Sequence, residues 1–358
     1  MSLTSLIREP EMLVLLREFV RPQGPPPKLS PLAPVRSEHP RRVGTAFDYL
    51  LRFHLQNVNP KAQGNRWVAE SGVHSLSFVR VEKGSDPLEY FDNPIIQERT
   101  ALAHKCLEEA RSFHKDYLST GLLHDELLVA TLRLAELDVI CRAGPDHVTW
   151  DVLESVNAND VADLRALYEV AQKVNWKAEK ACFLNPTFNT ASQLVGGADA
   201  DVILDSQLID IKTTKDIQLD RHKLYQLVGY YLLLLLDGIT NEKKGSEADE
   251  VILYAETISE ITDLSIYFSR FGYLHKMRAD ELIPANQLKS FALRFVEIAC
   301  PAEKKRQQHW RNFRGAFALA ARENPLPKKT RSKKKPKPQR TKKKKRAPLR
   351  AKVKKKRQ

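Results

Sequence analysis

The chain has 358 residues, with 58 Lys and Arg against 44 Asp and Glu, and a formal net charge of +14. The excess sits at one end: residues 324–358 hold 14 Lys, 5 Arg and no acid, so the first 323 residues carry −5. A chain that is 42% hydrophobic gives this body material for a sizeable core, which excludes wholesale disorder, and no apolar run approaches the roughly 18 residues that span a bilayer, which excludes a membrane-spanning role.

Met1 to Val20 interleaves Arg8, Glu9, Glu11, Arg17 and Glu18 with its leucines. That pattern predicts an amphipathic helix rather than a secretory segment, and a cytoplasmic protein is expected. Seven of the 20 prolines fall between Arg21 and Val43, so residues 1–43 read as a helix followed by an extended arm or linker. The main domain is expected to span 44–323. Its first helix follows Gly44, where Phe47, Leu50, Leu51 and His54 repeat at helical spacing. Further helices are predicted near 98–118, 122–142 and 160–174, making a large helical part. His124-Asp125-Glu126 there reads as a helix start, with acids placed to favour the macrodipole.

From Ala178 the pattern changes to short apolar runs, predicting strands at 181–184, 198–204 and 208–211 with a hairpin turn at Asp205-Ser206. A helix over about 220–236, a polar loop at 240–250, strands at 251–255 and 264–271, and helices near 279–300 and 303–322 complete the body. The tail, 324–358, is too charged to bury a core; disorder is expected, with salt-sensitive attraction for nucleic acid. The four cysteines, Cys106, Cys141, Cys182 and Cys300, show no metal spacing and are expected in the core.

The chemistry concentrates in Gly196-Gly197-Ala198-Asp199-Ala200-Asp201-Val202-Ile203-Leu204 and Leu208-Ile209-Asp210-Ile211-Lys212. Side chains alternate along strands, so Asp199 and Asp201 share a face, as do Asp210 and Lys212. With the turn at Asp205-Ser206, Asp201 falls opposite Asp210 and Asp199 opposite Lys212. Clustered carboxylates repel unless a cation neutralises them, and hard oxygen donors select Mg²⁺ or Mn²⁺. The Ile211 carbonyl is a further expected ligand. Lys212 would lie beside a nucleophilic water, either orienting it or helping to deprotonate it, and would neutralise charge on a phosphate. On the next helix Gln226 and Tyr230 are four apart and share a face, where an amide and a phenol can contact DNA or order the site.

An acidic strand, a hairpin, a D-I-K strand and a helix bearing Gln226-Leu227-Val228-Gly229-Tyr230 together resemble the PD-(D/E)XK nuclease superfamily, in its RecB-like branch with a Q-x-x-x-Y helix. The resemblance covers about 178–272 and extends to the helix after Gly44. It implies an α/β, restriction-endonuclease-like core, a mixed central sheet flanked by helices, here with a large helical insertion. It also implies Asp201 or Asp199 as first metal ligand, Asp210 as second and Lys212 as catalytic lysine. Where such members carry a histidine on an early helix, this chain offers Asp48. Only Cys300 follows the core, so no iron–sulfur cluster is expected. The functional expectation is a Mg²⁺- or Mn²⁺-dependent nuclease acting on DNA rather than RNA and held to it by the tail; the alternative is a non-catalytic nucleic-acid-binding protein on the same scaffold. Arg270, in Tyr267-Phe268-Ser269-Arg270-Phe271-Gly272, is a further candidate phosphate contact beside core residues Ile266 and Phe268. Trp310-Arg311-Asn312-Phe313-Arg314 is expected at a core edge or a nucleic-acid surface.

Overall fold

The apolar runs after Ala178 pair into one six-stranded sheet, in the order β1 (Gln63–Gly64), β2 (Cys182–Leu184), β3 (Val202–Leu204), β4 (Gln207–Lys212), β5 (Asp263–Phe268) and β6 (Tyr273–Arg278). The pairs β1–β2 and β4–β5 are parallel and the other three antiparallel, so the sheet is mixed. The computed structural model describes residues 2–77, 93–239 and 261–313. The chain divides into a unit of residues 1–324 and another of 325–358; the second lies outside the described residues.

Twelve α-helices are described: α1 (Leu3–Leu6), α2 (Pro10–Phe19), α3 (Pro40–Val58), α4 (Val68–Ser75), α5 (Pro94–Thr120), α6 (Asp125–Ala143), α7 (Asp151–Glu154), α8 (Ala158–Ala171), α9 (Arg221–Asp237), α10 (Ala279–Leu282), α11 (Ala285–Ala299) and α12 (Glu303–Asn312). They cover both faces of the sheet, because strand side chains alternate. Phe183, Ile203, Leu208, Leu264, Ile266 and Phe268 point to one face, packing with α1, α2, α9 and α11. Leu184, Val202, Ile209, Ile211 and Tyr267 point to the other, packing with α3 to α6 and α8. The helical segment lies in the chain between β1 and β2, and forms most of this second layer.

Local chemistry sets the element ends. Asp205 takes a left-handed φ of 52° at the β3–β4 turn. Its carboxylate accepts the backbone N–H groups of Glu179, Lys180 and Ala181 at 3.0, 2.7 and 3.0 Å, and these donors hold its pKa below the usual range despite partial burial. Asp220 caps α9 by accepting the Lys223 N–H at 2.9 Å, and Gly238, with φ 74°, ends it.

Several sequence expectations are corrected. The run 198–204 is a strand only over Val202–Leu204. Gly196 and Gly197, with φ 69° and 106°, turn the chain so that Asp199 bridges Thr187 instead of facing Lys212. The first long helix starts at Pro40, whose fixed φ suits a first helical position, and Gly44 lies inside it. The arm is no free linker: Ala33 and Ser37 are buried, and the N–H groups of Leu32 and Ala33 donate to the Arg270 carbonyl. The run 264–271 ends as a strand at Phe268 and passes through a 3-10 turn into β6, a strand the sequence reading missed. Pro284 splits the helix expected over 279–300. Cys141 is exposed, unlike the other three cysteines. The expected strand 251–255, loop 240–250, basic tail and end of the 303–322 helix fall outside the described residues. No described helix is long and apolar enough to cross a membrane.

Candidate active site

A cleft of about 1020 Å³ opens where the C-terminal end of β4 meets α3 and α9. Asp48, Asp199, Asp201, Asp210, Ile211, Lys212, Gln226 and Tyr230 all line it, so every residue singled out from sequence reaches one place. The register Val202↔Ile209 brings Asp201 level with Asp210. The Asp201 carboxylate extends that ladder by accepting the Ile211 N–H at 2.6 Å. Ile211 itself pairs with Tyr267 of β5. Asp210 is buried, at 2% exposure.

Lys212 stands over Asp210, its Nζ 2.6 Å from Oδ2. The ammonium is thus the partner of this buried oxygen, and it favours the charged form of Asp210 against burial. Lys212 Nζ also donates to Gln226 Oε1 at 3.3 Å, and Gln226 Nε2 donates to the Tyr230 hydroxyl at 2.9 Å. The helix spacing of Gln226 and Tyr230 thus becomes a chain that aims the lysine.

Asp48 enters from the opposite helical layer. A Cβ on Gly44 would come within 3.2 Å of Thr213 Oγ1; its absence lets α3 approach the end of β4 closely, one turn before Asp48. Arg52, one turn further on, donates to Asp48 Oδ2 and lies over the Tyr49 ring. Asp48 Oδ1 is buried without a partner. The sequence reading omitted Arg52, although its i+4 spacing from Asp48 was readable.

The acids strain against one another. Burial, then Asp210 and Asp48, push the Asp201 carboxyl well above its ordinary pKa. Burial likewise raises Asp210, opposed by Lys212, and Asp199, opposed by Arg142 and Arg52. The Lys212 pKa is lowered by burial but raised by Asp210 and Asp201, and the net shift is upward. The lysine is therefore a cation at neutral pH. Burial and the same carboxylates raise the Tyr230 phenol, which stays protonated.

Carboxylates that repel at the floor of an open cleft, with Asp48 Oδ1 buried without a partner, are donors of the kind that suit a hard divalent cation. Asp201, Asp210 and Asp48 are the residues that could hold one. They do not close a preformed cage, since among the described residues no three His, Cys, Asp or Glu side chains converge as ligands. Asp199 lies in the same wall but leaves the β3–β4 ladder.

Arg270 proves to be a structural residue, not a free phosphate contact. It is 1% exposed and forms a bidentate pair with Asp163 at 2.7 and 3.0 Å. Its remaining donors reach the carbonyls of Ala33 and Thr213 at 3.1 and 3.3 Å. The Ser269 hydroxyl donates to the Lys212 carbonyl at 3.3 Å. The strand end carrying Lys212 is thereby fixed from behind. Of the Trp310 motif, Phe313 is fully buried at a core edge.

Comparison of the chain with family models, curated proteins and solved structures finds no match in any of the three. The reading of the cleft therefore stands on its own geometry.

Proposed function

We propose that the protein is a metal-dependent nuclease that hydrolyses DNA phosphodiester bonds. The observation that carries this reading is the convergence of Asp201, Asp210 and Lys212 from adjacent strands, with Gln226 and Tyr230 from α9 and Asp48 from α3. Mg²⁺ or Mn²⁺ held by the carboxylates would polarise a phosphate oxygen and acidify a bound water. Lys212, kept as an ammonium and aimed by Gln226, neutralises charge developing on the phosphate and orients the water. Its raised pKa favours this electrostatic role over that of a proton acceptor. The tail's 19 positive charges raise the local concentration of DNA around a body that carries −5. The expected setting is cytoplasmic and associated with nucleic acid.

A second reading, a non-catalytic nucleic-acid-binding scaffold, draws on the Lys212–Asp210 ion pair, which partly neutralises the acids without a cation. One experiment separates them. Purified full-length protein is incubated with linear and circular, single- and double-stranded DNA in Mg²⁺ or Mn²⁺, beside Lys212→Ala. Cleavage that vanishes in the variant supports the nuclease; binding without cleavage in either metal sinks it and leaves the scaffold.

A further inference from the structure

The active-site cleft joins a second cleft, of about 690 Å³, at the first turn of α3, and the junction is basic. Pro40, Arg41, Thr45 and Arg142 line both. Arg41 is exposed and makes no ion pair among the described residues. Arg142, with a side chain 58% exposed, places Nε 3.5 Å from Asp138 Oδ2 while the Tyr49 hydroxyl takes Oδ1, so one edge of its guanidinium is engaged and the rest faces the clefts. No side chain caps α3, a helix of 19 residues. Pro40 has no N–H, so the first free donors are the N–H groups of Arg41 and Arg42. Two guanidinium groups beside an uncapped helix start select an anion, and their planar forks suit a phosphate.

The second cleft describes what adjoins that phosphate. Its acids are largely engaged: Glu136 accepts from Arg42 Nε at 2.6 Å and from the Thr149 N–H at 3.2 Å. Burial pushes the Asp138 pKa up to about 6. Glu38 is left at the exposed lip, which confines the basic stretch to one phosphate rather than a long track. His39, His147 and Val139 offer flat and apolar wall, and the volume falls in the range of roughly 300–1,000 Å³ that encloses a small ligand. A paired base reaches such a pocket only by unstacking; an unpaired base enters freely.

We infer that Arg41 and Arg142 seat a backbone phosphate of single-stranded DNA, with the adjoining unpaired nucleotide in the second cleft. The strand's course toward Asp210 rests on the nuclease reading, whereas the phosphate seat requires only that the protein bind DNA.

The test uses the full chain carrying Lys212→Ala, which blocks hydrolysis, with labelled 12-nucleotide single strands and duplexes in Mg²⁺. Affinities are compared with and without Arg41→Ala plus Arg142→Gln, and separately Arg41→Glu, whose lack of an ion pair leaves folding undisturbed. Loss of the one phosphate seat should weaken single-strand binding about tenfold and flatten its logarithmic salt slope by about 0.7. Duplex binding, carried by the tail, should change less than twofold. Strands bearing 5-iodouracil should cross-link to His39 or His147. Unchanged single-strand affinity, or cross-links confined to residues 328–357, overturns the inference. Lys212-dependent cleavage with Arg41 and Arg142 dispensable would overturn it alone. Arginine-dependent binding in a protein that cleaves nothing would keep the seat and remove the nuclease reading.

Discussion

Two buried ionic groups stand on either side of Thr213, and they are built to opposite rules. Behind it, Arg270 and Asp163 are satisfied: two salt-bridge contacts, two backbone carbonyls for the guanidinium, and the Ser37 N–H for the second carboxylate oxygen at 3.3 Å. In front of it, Asp201 and Asp210 share one lysine, Asp48 pairs with Arg52 while its other oxygen has no partner, and the three acids repel one another. A buried charge is tolerated when paired and hydrogen-bonded. The rear group is fully paired and holds the chain; the front group leaves acids repelling one another, and the proposed cation site rests on that. Incomplete pairing, not burial, separates the proposed site from the brace.

The largest test of this contrast is chemical. Lys212→Ala should lower cleavage by about a hundredfold to a thousandfold or more while DNA binding persists, as for loss of one transition-state partner. Gel assays on linear DNA read this directly.

The next test is a difference in sign. Asp163→Asn leaves Arg270 buried without its counter-charge and should cost about 3–5 kcal/mol in urea unfolding. Asp201→Asn keeps an acceptor for the Ile211 N–H and removes repulsion, so it should be neutral or stabilising by about 1 kcal/mol at pH 8. Equal losses in the two variants would erase the distinction.

Mg²⁺ should raise the melting temperature of the wild type at pH 8, by about 2.7 kcal/mol of stability when present at 100 times its Kd. The gain should shrink at pH 5, where protons compete for the same carboxylates, and disappear in Asp201→Asn.

The smallest effect concerns Asp138, whose folded-state pKa near 6 lies above its ordinary 3.8 because burial disfavours the charge. Its folded state binds the proton more tightly. Its stabilising contribution is therefore full below pH 3.8 and lost as pH rises through about 6. Asp138→Asn should flatten that fall between about pH 4 and 6 in thermal melts. An unchanged slope would show that the pair with Arg142 already keeps the group ionised.

The front group was legible in the sequence because it is local. Asp201, Asp210, Lys212, Gln226 and Tyr230 lie within one hairpin and its following helix, where periods of two and 3.6 fix which side chains share a face. Asp48 was visible only as a candidate, since nothing local shows that α3 docks against Thr213. The rear group was illegible. Arg270 looked like a phosphate ligand because its partners, Asp163 and Ala33, lie 107 and 237 positions away. Asp199 was misplaced for another reason: left-handed glycines at 196 and 197 precede a strand that begins only at Val202, and strand periodicity does not register such turns. β6 escaped because Tyr273 to Arg278 mixes polar and apolar residues along a half-exposed strand.

The contact between Ala33 and Arg270 also has a meaning in time. The arm leaves the ribosome long before its partner is made, and at roughly 5–20 residues per second the intervening 237 positions take on the order of 10–50 seconds to synthesise. Until then the strand end bearing Lys212 lacks its support from Ser269 and Arg270. A nascent chain would thus carry Asp48, Asp201 and Asp210 while the strand end bearing Lys212 still lacked its brace, and the proposed nuclease would become competent only after its last described strands had been translated.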